Sequence, residues 1–200
     1  MRNIILACSV AIGCSTVEGD ELLFPEPQPE YNRKDWRHWI DEDKDCQDTR
    51  QEVLIAESTT PVTFTDDKRC RVESGTWEDA YTGKTFTSPL SLDVDHVVAL
   101  RDAFDSGGAN WDAARRKLYA NDLSAPGSLR AVQMGANRSK GSRGPDEWLP
   151  VNEEFRCQYI GEFMAIKRRW ELSLGAGEQA VLDYMLKICE DGGVPPLPQR

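Results

Sequence analysis

Histidine is scarce in this chain: His38 and His96 are the only two in 200 residues. That excludes a metal centre built from several imidazoles. No Cys-x-x-Cys pair occurs either, so a structural zinc site, which draws on such pairs and on histidine, is disfavoured. No apolar run reaches the ~18 residues a membrane-spanning helix needs. Basic residues are outnumbered, 24 Lys and Arg against 34 Asp and Glu, for a net charge of −10. A surface of that sign argues against binding nucleic acid non-specifically over its whole extent. Internal repeats are absent. What is present is ordinary for a globular protein, with 40% hydrophobic residues, 29% charged residues and six tryptophans. That is enough apolar material for the core of one domain, with or without a tail.

The start is different in kind. In "MRNIILACSVAIGCSTVEGDE", Arg2 precedes an apolar run from Ile4 to Gly13, and small residues and then acids follow. This is the pattern of a short secretory signal over residues 1–13. "AIGC" also has the form of a bacterial lipobox, so two fates are open: cleavage alone, or cleavage with a lipid added to Cys14 that would attach the chain to a membrane. Residues 14–30 are acidic and proline-rich and read as a tether. A domain is expected over residues 31–190, with a tail over 191–200. Beyond the leader, four cysteines remain. Cys46–Cys70 and Cys157–Cys189 is the expected pairing, because each bond closes a local loop, and disulfides suit an exported protein.

Charge is unevenly distributed. From Arg115 to Arg143 there are seven cations and one acid, Asp122. Such a stripe is compatible with a local phosphate site, although charge alone favours a solvated face. Trp36, Trp39 and Ile40 stand at helical spacing and predict a short helix. "DTRQEVLIAES" predicts a second, with Asp48 or Thr49 as its cap. Strands are expected in "TPVTFT", on both sides of turns at Gly75 and Gly83, over residues 91–98 and in "GSLRAVQMG". A helix is expected over 110–119, a helix or turn at "ANRSKG", and two amphipathic helices in the last third, separated by Gly175 and Gly177. The expected class is α+β, with a small antiparallel sheet and several helices.

One strand is unusual. "LDVDHVVAL" holds Asp93, Asp95 and one of the two histidines, His96, although strand interiors disfavour Asp. After it come a long loop ending in Asn121, a second strand, and Asn137-Arg138-Ser139-Lys140 at a helix start. Strand, loop, strand and helix is the layout of a ββα-metal finger. Through "DVDHVVAL", "YAND", "ANRSKG" and "PDEWLP" the chain resembles the HNH endonucleases, most of all their exported bacterial branch with an Asp-His-Asn-Asn pattern. The resemblance covers about residues 31–190. It implies an endonuclease acting on DNA, and alternatively RNA, that leaves 5′-phosphate and 3′-hydroxyl ends.

The chemistry matches the residue types. A neutral imidazole can take a proton from water near neutral pH, which assigns the general base to His96. Asp95 and Asn137 offer one oxygen each to a hard cation, Mg²⁺ or alternatively Mn²⁺. The resemblance gives Asn121 the role of tying down the loop after the base. Asp93 shares the face of Asp95 and is a candidate for a water-mediated metal contact, with capping or solvent exposure equally open. Arg138, Lys140 and Arg50 are candidates for substrate phosphates. Because neighbours on a regular strand point to opposite faces, the backbone must leave strand geometry at about His96. His38 lies far upstream and reads as a surface or packing residue. Asn137 also begins a glycosylation sequon. A glycan there would block the metal site, so a bacterial origin fits better. No base-reading module accompanies the set, so low sequence specificity is expected, and a monomer, secreted or in the cell envelope. The rival readings are a partner-binding envelope lipoprotein without activity and a metal phosphoesterase for small substrates.

Overall fold

The computed structural model describes residues 29–199. The proposed signal, the candidate lipid site at Cys14 and nearly all of the tether lie outside them.

The centre is an antiparallel pair, β5 (Leu92–His96) and β6 (Leu129–Gln133), in register from Leu92 opposite Gln133 to His96 opposite Leu129. Alternation along the pair separates two cores. Leu92, Val94, Leu129 and Ala131 pack with Trp77 and with Val53 and Leu54 of helix α1 (Thr49–Glu57). Val132 belongs to the larger core, with Tyr159, Ile160 and Phe163 of helix α5 (Glu153–Arg169). The ribbon is therefore covered on both faces. Between its strands run helices α2 (Leu100–Asp105) and α3 (Ala113–Ala120). The short helix α4 (Met134–Lys140) follows β6 directly, its first turn capped by the Gln133 side chain, which accepts from the Ala136 amide at 2.6 Å. Helix α6 (Ala176–Glu190) closes the fold against α5, with Gly175 as its N-cap.

The α+β class holds, and several details differ from expectation. There is no single small sheet among the described residues. There are three separate pairs: β1 (Thr63–Phe64) with β2 (Val72–Ser74), β3 (Trp77–Glu78) with β4 (Thr85–Phe86), and β5 with β6. The first four strands are two or three residues long. Gly83, at φ +70°, turns the chain between β3 and β4, and a Cβ on Gly75 would meet the Trp77 ring at 2.7 Å. Such short strands cannot continue a ladder. The helix expected through Trp36, Trp39 and Ile40 is a 3-10 turn at Arg33–Asp35, and Trp39 has φ 55°. A helix would put both tryptophans on one face, whereas Trp36 enters the larger core and Trp39 packs against the smaller one. Helix α2 lies in a stretch that reads as polar loop; Leu100, Ala103 and Phe104 bury its inner side. Helix α3 begins later than expected, where Asp112 accepts from the Arg115 amide at 2.7 Å.

Disulfides join Cys46 to Cys70 and Cys157 to Cys189, as expected. The first ties the segment before α1 to the one before β2, and the second ties α5 to α6. Asp122, just after α3, accepts from Arg169 Nε at 3.1 Å and Trp170 Nε1 at 3.2 Å, as well as from Ser124. Burial pushes its carboxyl up, but the hydrogen bonds from Ser124 and the Arg169 guanidinium outweigh burial and hold it below its ordinary value.

Replacing either cysteine pair by serine is expected to lower unfolding free energy by about 3 kcal/mol, from loop closures of 24 and 32 residues; urea titration of the oxidised and variant proteins measures it. A carboxyl whose folded pKa is depressed stabilises the fold above its unfolded pKa, and that contribution fades as pH falls through the folded value. Asp122→Asn should therefore be less stable than the parent at neutral pH, and the gap should close below about pH 4. A gap independent of pH would mean that the Asp122 charge contributes nothing.

Candidate active site

A cleft of about 380 Å³ opens at the end of the ribbon. Asp95, His96, Asn137 and Arg138 line it, together with Tyr31, Arg33 and Arg101. Four of the residues singled out from sequence thus share one concave site. The strand persists through His96 and bends only at Val97 and Val98, so Asp95 and His96 lean to opposite sides of the ribbon. Both reach the cleft because they stand at its last two positions.

His96 is 6% exposed. Its ring lies between Trp39, stacked at 5.4 Å, and Tyr119, stacked at 6.4 Å. Nε2 is 2.9 Å from the Ala120 carbonyl. A carbonyl can only accept, so Nε2 carries the proton and the lone pair is left on Nδ1. Burial pushes the pKa down to about 3, against the pull of the Ala120 carbonyl, with smaller contributions from His38, Arg33 and Lys140. The imidazole is therefore neutral at pH 7. Asn121 fixes the carbonyl that holds it. Its Oδ1 accepts from Thr49 Oγ1 at 2.8 Å and from the Ile40 amide at 3.3 Å, and its Nδ2 donates to the Lys117 and Arg37 carbonyls at 2.8 Å each. One amide thereby pins the end of α3, the start of α1 and the N-terminal segment.

Asp95 accepts from the Tyr81 hydroxyl at 2.7 Å and from Lys140 Nζ at 2.9 and 3.1 Å. Burial pushes its carboxyl up, opposed by Lys140 and Tyr81. Asn137 donates its amide nitrogen to Asp93 Oδ2 at 3.2 Å. That contact turns the amide so that its oxygen points away from Asp93 and remains free to bind. The available donors are the Asn137 oxygen and Asp95 Oδ1, which retains a lone pair beside Lys140. All are hard oxygens, and this donor set fits a hard divalent cation rather than a soft one.

Two phosphate candidates do not line the cleft. Lys140 has no exposed surface, and its ammonium bonds Asp95 and the His96 carbonyl, the latter at 2.9 Å; it ends α4 on the inner side and cannot reach a substrate. Arg50 donates Nη2 to the Pro89 and Leu92 carbonyls at 3.2 and 2.9 Å, which holds it at the start of β5, outside the cleft lining. Arg138 is exposed and lines the cleft. Asp93 acts on the site through Asn137. His38 is brought to the site, its ring 6.2 Å from that of His96, with Nδ1 2.7 Å from the Trp36 carbonyl. Sequence reasoning did not find Tyr31, Arg33, Trp39 or Tyr81 as site residues. None of the four stands in a stretch that marked the site.

Residues 48–182 match the family described as GmrSD restriction endonucleases, C-terminal domain. A protein of the fungus Arthroderma benhamiae, named "Uncharacterized secreted protein", is 37% identical over 163 residues, spanning 82% of this chain and 78% of its own length. No solved structure matches the chain.

Lys140→Met removes one partner of a buried ion pair and should cost about 3–5 kcal/mol of stability. Arg138→Gln, at an exposed position, should change it by under about 0.5 kcal/mol. Urea unfolding of both variants checks the contrast, and equal costs would contradict the assignment of Lys140 to the interior.

Proposed function

We propose, because the chain belongs to the family of the C-terminal domain of GmrSD restriction endonucleases, an HNH-type nuclease family, that it is a divalent-metal-dependent endonuclease. Its substrate is nucleic acid, DNA first and RNA as the alternative, cleaved with low sequence specificity by a monomer. The observation that carries the reading is a neutral imidazole, oriented by the Ala120 carbonyl, in the same cleft as the oxygen donors Asp95 and Asn137. Residues 31–190 form the nuclease domain, with β5, β6 and α4 as its ββα-metal unit. Export is supported by two disulfides and by the name of the fungal relative. That relative also means that the resemblance does not confine the chain to bacteria.

The chemistry is phosphodiester hydrolysis. Water attacks phosphorus and its proton passes to His96 Nδ1. The bond to the 3′ oxygen breaks and that oxygen takes a proton from solvent water, leaving 5′-phosphate and 3′-hydroxyl ends. Asp95 and Asn137 would hold the cation, Mg²⁺ or Mn²⁺, which supplies positive charge for the phosphate and the departing oxygen. Asp93 keeps the Asn137 oxygen turned outward. Asn121 keeps the Ala120 carbonyl, and so the imidazole, in place. Arg138 contacts substrate phosphate. The competing reading, a binding protein without activity, draws on the engagement of Asp95 by Lys140 and Tyr81.

A supercoiled plasmid incubated with the oxidised protein should be nicked with Mg²⁺ or Mn²⁺ and left intact with EDTA. His96→Ala should lower the rate by about 10²–10⁴. Nicking by His96→Ala at the parent rate would remove His96 from the mechanism. An intact plasmid and intact RNA with every divalent ion tried would favour the binding protein.

A further inference from the structure

The segment of residues 31–40 lies upstream of the family match, which begins at residue 48, yet it forms part of the cleft wall. It is held there firmly. Trp36 is 1% exposed and packs on Trp111 and Tyr119 at 5.7 and 5.5 Å. Asn121 bonds the Arg37 carbonyl and the Ile40 amide. Asn32 caps the turn that carries Arg33 by accepting from the Lys34 amide at 3.1 Å. The backbone of Arg33 is thus fixed at the cleft by bonds in which the Arg33 side chain takes no part.

Three arginines line the cleft: Arg33, Arg101 and Arg138. Arg101 pairs with Asp105 at 2.6 Å and lies over the Tyr31 ring. Arg33 and Arg138 form no ion pair among the described residues. The carboxylate in the cleft, Asp95, already has Lys140 as its counter-ion. Two uncompensated guanidiniums therefore share one concave site in a chain of net charge −10. A guanidinium presents its donors in a planar fork that matches two phosphate oxygens. We infer that Arg33 is a substrate-binding residue that contacts a backbone phosphate of the nucleic acid, working with Arg138 and supplied by a segment outside the family match. This rests on the proposed nuclease reading.

The test is binding of a short, fluorescein-labelled single-stranded oligonucleotide in EDTA, followed by anisotropy over a range of salt concentrations. Removing one cation that neutralises a phosphate lowers the slope of log affinity against log salt by about 0.7 for a single strand. Arg33→Gln should weaken binding and lower the slope by that amount. Arg33→Lys should keep the slope. Lys34→Gln, one residue along and outside the cleft lining, should match the parent. Both positions are exposed, so melting temperature should not move. A parent that cleaves nucleic acid while Arg33→Gln keeps the parental slope overturns the inference and leaves the nuclease reading standing. A parent that binds, with a lower slope in Arg33→Gln, but cleaves with none of the divalent ions tried supports the inference and rejects the nuclease reading. A parent that does not bind overturns the inference, and one that also cleaves no nucleic acid with any divalent ion tried overturns both.

Discussion

An ammonium with no access to water is tolerable only if its hydrogens find oxygens and its charge finds a counter-charge. Lys140 meets both conditions at one place, where the Asp95 carboxylate and the His96 carbonyl converge. The consequence is geometric. Lys140 ends α4 and Asp95–His96 ends β5, so the pair fastens the helix that carries Asn137 to the strand that carries His96. The placement of Asn137 relative to Asp95 and His96 depends on that buried bond. Tyr81 adds a second fixed donor to Asp95 from the larger core. The carboxylate is thereby held as a rigid part of the scaffold as well as a wall of the cleft.

Local features of the site are legible in the sequence. Asp95 and His96 stand on a strand that alternation reveals, Asn121 stands at the end of α3, and Asn137 stands within the short helix α4. Their order along the chain is enough to suggest one site. Lys140 misleads because a lysine in a basic stretch is by default a surface residue, and only a buried partner alters that. Arg50 misleads for a related reason: bonds to main-chain carbonyls have no signature in residue type. The wall formed by Tyr31, Arg33 and Trp39 is not legible at all. It depends on Asn121 bonding residues more than 80 positions away, and no periodicity records such a bond. The separate strand pairs have a weak signal in their turns, but whether short ladders merge is a tertiary matter.

The charge pattern is also resolved by burial. The stripe from Arg115 to Arg143 contains cations with different surroundings. Lys140 is interior, and Arg130 is paired with Glu162 of α5. Arg115 and Lys117 reach Glu171 and Glu42 on the surface, where such pairs contribute little. A count of seven cations therefore overstates what a polyanion would meet, and Arg138 is the member of the stripe that lines the cleft.

The bonds from Asn121 to the N-terminal segment also bear on the order of assembly. Arg37 and Ile40 are made well before Asn121 and Ala120, and the two bonds span 84 and 81 residues. As the chain emerges from the ribosome, Trp39 has no imidazole to cover, and His96 has no carbonyl to orient it until α3 is complete. Pairings of such long sequence separation form late, because loop closure must precede them. The surroundings of His96 are thus assembled near the end of folding, and a complete but still-extended chain carries every residue of the cleft without the cleft itself.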